Sequence, residues 1–385
     1  MRSMLRRRGG AVLSCLALTA VVAGCASPSA PTTAKAEVYA RLPGGPGGIT
    51  YMPDGRLVVG YHPFYDPAVK VGLLNAARDG TTPYPNEQWQ SCKRADGSQK
   101  DPATCLNWVL GLHVDANGIL WLLDSGQAAP RITPKLVGWD TRGNRLHRVV
   151  PIPAPASIPE SQHNDFVVDT RRNVIVIADE AIATGPVGDK AALVVVDLAS
   201  GQSRRLLQGH PSVMPDKTRP ITVDQGTPRA KSIDVFVGVD GIALDHRGEW
   251  LYYAPLNGAK VYRVRMSDLL DRGLDAAALG ARVQTWADKP NNGGMSIDRE
   301  GNLYLTEVGE RAVGIIPADT RKYRRFVADK DMVWPDGVTY SADGHMYTGA
   351  AQLPLSAALN GGKAENKAPY LIYRFRPLAP GVPGF

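Results

Sequence analysis

One phrase returns six times along the 385 residues: an apolar, small, apolar triplet, a polar residue or two, a tight turn, then a branched or aromatic run. The triplets are Ile49-Thr50-Tyr51, Leu112-His113-Val114, Phe166-Val167-Val168, Ile242-Ala243-Leu244, Met295-Ser296-Ile297 and Val338-Thr339-Tyr340. Their turns are Asp54-Gly55, Asn117-Gly118, Arg172-Asn173, Arg247-Gly248, Glu300-Gly301 and Asp343-Gly344. Glycine or asparagine stands second in each pair, where the backbone must turn left-handed and those residues lose least, so each copy predicts a hairpin with a two-residue turn. The second turn residues are 63, 55, 75, 53 and 43 positions apart. That is room for about four strands and their loops per repeat. The pattern predicts an all-β chain folded as a six-bladed β-propeller.

Strand-like runs fill the repeats, among them Ile119 to Asp124, Lys135 to Asp140, Val174 to Asp179, Trp250 to Pro255, Lys260 to Arg265, Leu303 to Glu307 and Ala312 to Ile316. Ser267 to Leu279, rich in alanine and leucine, reads as a helical insertion. The sixth repeat offers only Val338 to Ser341, His345 to Gly349 and Tyr370 to Arg376, one strand short. Glu37 to Leu42, ahead of the first repeat, has no blade of its own; pairing it with Tyr370 to Arg376 would close the ring and cover an open edge. Two stretches, Pro63 to Asn107 and Gln208 to Val237, exceed what blade connections need and are expected to decorate the ring.

The first residues read as an export segment: Arg2, Arg6, Arg7 and Arg8 precede the apolar run Ala11 to Val22, too short to span a bilayer as a helix. Val22-Ala23-Gly24-Cys25 resembles a bacterial lipobox, which implies cleavage before Cys25 and lipidation of its thiol; the alternative is an ordinary cleavable signal. Both Sec and twin-arginine export stay open. The expected organisation is a signal peptide over 1–24, a tether over 25–36 and the propeller over 37–385, in a protein of the bacterial cell envelope, periplasmic or at the cell surface. The formal charge of +7 owes much to those first arginines, and no run interleaves basic with aromatic residues, so nucleic acid is excluded as a partner. A monomer meeting the membrane only through its lipid is expected. With Cys15 and Cys25 in the export segment, Cys92 and Cys105 remain as an even pair in an oxidising compartment. A disulfide is the expected state, two free thiols the alternative, and metal binding a poor third because no further ligand stands at suitable spacing.

In a propeller the innermost strands line the channel. Aligning the triplets places Gly47, Leu110, Asn164, Asp240, Gly293 and Asp336 where each inner strand begins, at the channel mouth. Asn164, Asp240 and Asp336 offer oxygen atoms that could hold a cation, a cationic amine or a polyol; alternatively they satisfy backbone groups at strand ends. Asp165 stands where other repeats carry glycine and is assigned that backbone-satisfying role. Trp334 is expected to rim the channel beside Asp336. Ser161, His163 and Asp165 alternate along one extended segment, about 6 to 7 Å between neighbours, too far apart for a catalytic triad.

Leu193-Val-Val-Val-Asp-Leu-Ala-Ser-Gly-Gln-Ser-Arg-Arg205, Gly209-His-Pro-Ser-Val-Met-Pro-Asp216, Val239-Asp-Gly-Ile-Ala-Leu244 with Leu251-Tyr-Tyr-Ala-Pro-Leu256, and Trp334-Pro-Asp-Gly337 with Ala351-Gln-Leu353 resemble the Yellow and major royal jelly protein family. The resemblance runs from about Gly44 to Arg376 and implies a secreted six-bladed propeller with a ligand site at its central channel. It does not fix an activity, since that family holds pigment-pathway proteins, binders of small amines and sterol-binding proteins. More distantly the chain is similar to gluconolactonase and senescence marker propellers, which hold a divalent cation through a glutamate of the first repeat and Asn or Asp of later ones. Here Leu42-Pro-Gly-Gly-Pro-Gly-Gly48 has no glutamate, leaving Asn164, Asp240, Asn292 and Asp336 as a sparse ligand set for an ion such as Ca²⁺. Three functions follow as expectations. The first is a lipid-anchored binder of a small polar or amine-bearing molecule, with Asn164, Asp240, Asp336 and Trp334 as contacts. The second is a metal-dependent lactonase-like hydrolase or tautomerase, its catalytic residues unassigned. The third is a scaffold that binds an envelope protein through its rim loops.

Overall fold

Every copy of the phrase forms the innermost strand of a four-stranded antiparallel sheet together with the hairpin that follows it. The computed structural model describes residues 34–224 and 230–383. The expected signal peptide, the lipidation site Cys25 and the tether as far as residue 33 lie outside the described residues. From the axis outward, blade 1 is Pro46–Tyr51, Leu57–Tyr61, Val71–Leu74 and Thr81–Pro83; blade 2 is Val109–Val114, Ile119–Asp124, Lys135–Asp140 and Arg145–Pro151. Blade 3 is His163–Asp169, Val174–Asp179, Ala192–Asp197 and Ser203–Leu206; blade 4 is Val239–Leu244, Trp250–Pro255, Lys260–Arg265 and Gln284–Asp288. Blade 5 is Met295–Ile297, Leu303–Glu307, Ala312–Ile316 and Arg324–Ala328. Blade 6 is Pro335–Tyr340, Met346–Ala350, Tyr370–Phe375 and, outermost, Glu37–Leu42.

The ring is closed by its amino-terminal strand, with Glu37 opposite Arg374, Ala40 opposite Ile372 and Leu42 opposite Tyr370. Apolar layers lie between neighbouring blades: Val176, Leu193 and Val195 of blade 3 meet Leu251 and Tyr253 of blade 4, and Leu42, Tyr370 and Ile372 of blade 6 meet Ile49 and Val59 of blade 1. Each blade therefore buries both faces, and no blade has a core of its own.

The hairpins depart from the expected two-residue turn. In blade 1 Met52 N–H donates to Arg56 O and Gly55 N–H to Met52 O, so three residues form the loop. Only the second residue of each predicted pair is left-handed, with φ of 84° at Gly55, 79° at Gly118, 55° at Asn173, 69° at Gly248, 83° at Gly301 and 84° at Gly344. A type I turn followed by one left-handed residue gives this geometry, with an aspartate often bracing the loop: Asp115 Oδ1 accepts from the amides of Asn117 and Ile119, and Asp298 Oδ1 from those of Glu300 and Asn302.

Pro63 to Asn107 is a second correction. It is not wholly decoration, because it supplies the two outer strands of blade 1. Its remainder carries the Cys92–Cys105 disulfide, Cα atoms 5.0 Å apart. Gln208 to Val237 stays an excursion, and its Ile221–Val223 and Lys231–Ile233 pair as a small hairpin. The helical insertion of blade 4 is two short helices, Met266–Leu270 and Ala276–Gly280. Strand alternation puts the six repeated hairpins, with the helical insertion of blade 4, on one face of the ring and the other long connections on the opposite face. The second face holds the channel mouth.

Candidate functional site

Five inner strands break register at the mouth: between Pro46 and Ile49, Val109 and Leu112, His163 and Phe166, Val239 and Gly241, and Pro335 and Val338. An extra residue in one strand of a pair re-aims the local side chains. The residues re-aimed here are those the aligned triplets pick out. Leu110, Asn164, Asp240 and Asp336 line one cavity of about 400 Å³ at the mouth, and Trp334 forms part of its wall. Asn292 is fully buried outside this lining and donates through Nδ2 to the carbonyls of Gly293 and Gly294. Gly47 and Gly293 add no side-chain donor.

A carboxylate that the triplet alignment does not reach completes the floor. Glu180 follows the second strand of blade 3, and Ala181, at φ 55°, turns the chain immediately after it. Asn164 Nδ2 donates to Glu180 Oε1 at 2.9 Å and to Asp240 Oδ1 at 2.7 Å, while Gln162 Nε2 donates to Glu180 Oε2 at 2.6 Å. Glu180 and Asp240 are each only 4% exposed. Burial pushes Glu180 up to about 8 and Asp336 up to about 7. Asp240 rises well above the usual carboxylate range through burial first, then through the charges of Glu180, Asp336 and Asp165. Among the described residues no Lys or Arg lines the cavity. Its one imidazole, His62, is pushed down to about 3 by burial, and its Nδ1 accepts the amide of Phe64 at 3.2 Å. A neutral ring therefore faces the acids.

The walls are apolar. Phe64, Trp108, Ile182, Val237, Leu256 and Leu353 surround the floor. Several belong to a cluster that the mouth-face excursions build on top of the ring, with Ile221, Val237 and Leu256 packed against Trp334 and Leu353. Trp334 takes φ 54° directly before Pro335, a position where an extended backbone is preferred, and Ala351 N–H donates to its carbonyl at 3.0 Å. The Trp108 Nε1–H is buried and, among the described residues, has no acceptor.

Asp165 differs from its assigned role. It accepts the amide of Phe166, but it also lines the narrow channel below the mouth, a space of about 50 Å³. Burial, with the charge of Asp336, raises it to about 7. Ser161 and His163 do not join Asp165. Ser161 Oγ donates to Asp179 Oδ2 at 2.5 Å, and His163 Nε2 lies 2.7 Å from Ser157 Oγ.

Chemically, the floor is a set of buried acids that retain protons near neutrality and would release them to a cation. Sequence inspection missed Glu180, Gln162, His62 and Trp108. Only Glu180 left a trace, as one of two acids at the end of an otherwise apolar strand.

No curated protein matches the sequence. Among solved structures, similar folds include a gluconolactonase from Xanthomonas campestris at 14% identity, TM-score 0.54, covering 89% of this chain and 90% of that one. A luciferin-regenerating enzyme matches at 13% identity and TM-score 0.54, covering 91% of this chain and 98% of its own. A calcium-binding protein, regucalcin, from Agrobacterium tumefaciens matches at 13% identity and TM-score 0.50, covering 90% and 98%. These likenesses show the fold. The family model described as major royal jelly protein matches residues 109–367, about two thirds of the sequence. Blades 2 to 5 and the two inner strands of blade 6 fall within that match, together with Asn164, Glu180, Asp240, Trp334 and Asp336, and the chain belongs to the major royal jelly protein family.

Proposed function

We propose that this protein is an exported, lipid-anchored propeller that takes a small amine-bearing molecule into the mouth cavity. The observation that carries the reading is the floor: Glu180, Asp240 and Asp336 converge beneath aromatic and aliphatic walls, with no lysine or arginine of the described residues lining the space. Carboxyls clustered on a buried floor stay protonated unless a cation replaces the protons. An ammonium group supplies that charge, and its organic body replaces water against Phe64, Trp108 and Trp334. Asn164 holds Glu180 and Asp240 in place.

The gluconolactonase and regucalcin folds keep a second reading in view, a metal-dependent hydrolase. The residues present fit a tight divalent site poorly. Asn164 turns N–H donors toward both carboxyls between which an ion would sit, and Gly47 and Gly293 bring no side-chain oxygen. Among the described residues no three His, Cys, Asp or Glu side chains are grouped to hold a metal.

Thermal shift separates the two readings. A primary arylalkylamine should raise the melting temperature, the alcohol of the same shape should raise it far less, and Ca²⁺ should leave it unchanged. A shift with Ca²⁺ and none with amines would move the site to the metal reading.

A further inference from the structure

The face opposite the mouth carries a second concavity, and the amine reading gives it no role. It encloses about 450 Å³ where blades 5 and 6 meet. Among the described residues Lys35, Arg324, Arg374 and Arg376 line it with His345; of the carboxylates there, Glu37 pairs with Arg374 at 3.1 Å and Asp343 lies 3.5 Å from His345 Nδ1. The floor is apolar: Phe326 and Phe375 are buried in one cluster, and Leu378 at the edge is 54% exposed, the largest fraction among the described large apolar residues. Its position follows from the strand register. Phe375 lies opposite Met346, just past the Asp343-Gly344 turn, so the groove belongs to the face of the repeated hairpins.

We propose that this groove seats the phosphate headgroup of an anionic phospholipid and docks the hairpin face on a membrane, leaving the cavity mouth directed away from it. Cations above an apolar floor complement an anionic amphiphile. Guanidinium groups match a phosphodiester through paired hydrogen bonds, and Phe375 and Leu378 offer surface to the glycerol and upper acyl region. Free phosphate would use only half of that surface. The described chain also starts here, at Ala34, nine residues after Cys25, whose expected lipid would hold this end of the chain at a membrane. The mouth has the opposite character, with buried acids and, among the described residues, no lining Lys or Arg, so an anionic surface attracts the groove and finds no cation at the mouth.

The proposal does not depend on the amine reading, and its test is separate. Hydrogen exchange of the full chain is compared on phosphatidylglycerol and phosphatidylcholine vesicles. Peptides spanning 37–42 and 370–378 should gain protection only on phosphatidylglycerol, and peptides spanning 180–186 and 353–359 should exchange alike on both. Arg324→Gln with Arg376→Gln should remove that protection. In a Cys25→Ser background, which cannot be acylated, the pair should weaken partition onto phosphatidylglycerol about 25-fold, since each cation near an anionic surface is worth about fivefold. Lys35→Gln with Arg376→Gln provides a second pair if Arg324 proves necessary for folding, and melting curves show whether either pair folds. Equal protection on both lipids, protection at the mouth peptides, or variants that partition like their parent would overturn the proposal. So would protection of the same peptides by inorganic phosphate at matched ionic strength, which would make the groove a free-phosphate site.

Discussion

At five of the six mouths a glycine follows the mouth residue, and at four of them, Gly337 excepted, the next inner strand passes too close for a side chain. A Cβ at Gly48, Gly241 or Gly294 would sit 2.8, 2.6 or 2.8 Å from a carbonyl oxygen of the neighbouring strand. Blade 3 alone places a side chain there, Asp165, and holds its carboxyl in the channel under Asp240 and Asp336. The linkage has a definite sign. A carboxyl near 3.8 when unfolded and about 7 when folded keeps its proton longer in the native state, so its stabilising contribution is complete below about pH 4 and is lost as pH rises toward 7. Each fully linked proton gives a slope of about 1.4 kcal/mol per pH unit. Urea denaturation across this range should show the unliganded protein losing stability with rising pH. Asp165→Asn, and separately Asp336→Asn, should flatten the profile and leave the variant more stable than its parent at pH 8. Parallel profiles for parent and variants would show that these carboxyls ionise as freely as in water.

Among the elements, the closing strand and the disulfide loop matter most for stability. Leu42 is 1% exposed between blades 6 and 1, and its truncation to alanine should cost about 2 to 5 kcal/mol in urea denaturation. A loss near zero would mean that the amino-terminal strand is dispensable for closure. Replacing Cys92 and Cys105, thirteen residues apart, by serine should cost about 3 kcal/mol on the loop-entropy estimate, measured the same way. The six inner hairpins and the closing strand were legible in the sequence because each is announced locally, by a left-handed glycine or asparagine or by a blade lacking its fourth strand. The outer strands of blade 1 were not. Val71–Leu74 contains Gly72, and Thr81–Pro83 ends in proline, so neither has an apolar alternation that sets it apart from loop. Asn164, Asp240 and Asp336 were legible as positions in a repeat. Glu180 was not, because the left-handed turn at Ala181 that brings it to the mouth has no glycine to mark it.

On the scale of the whole molecule, the ring separates two chemistries. One face gathers buried acids under apolar loops, and the other gathers arginines around an apolar groove near the first described residue. The propeller keeps these sites apart by its strand order, since the excursions that wall the mouth leave from one face and the six tight hairpins from the other. The central claim is that the acidic floor binds a cation. Calorimetric titration of a primary arylalkylamine near pH 7, in buffers of different ionisation heat, tests it most directly. The account predicts saturable binding accompanied by proton release, because a bound ammonium lowers the raised carboxyls. It also predicts that Asp240→Asn and Asp336→Asn each weaken binding by about 1 to 3 kcal/mol. Binding without proton release, or a double variant that binds the amine as tightly as its parent, would contradict it.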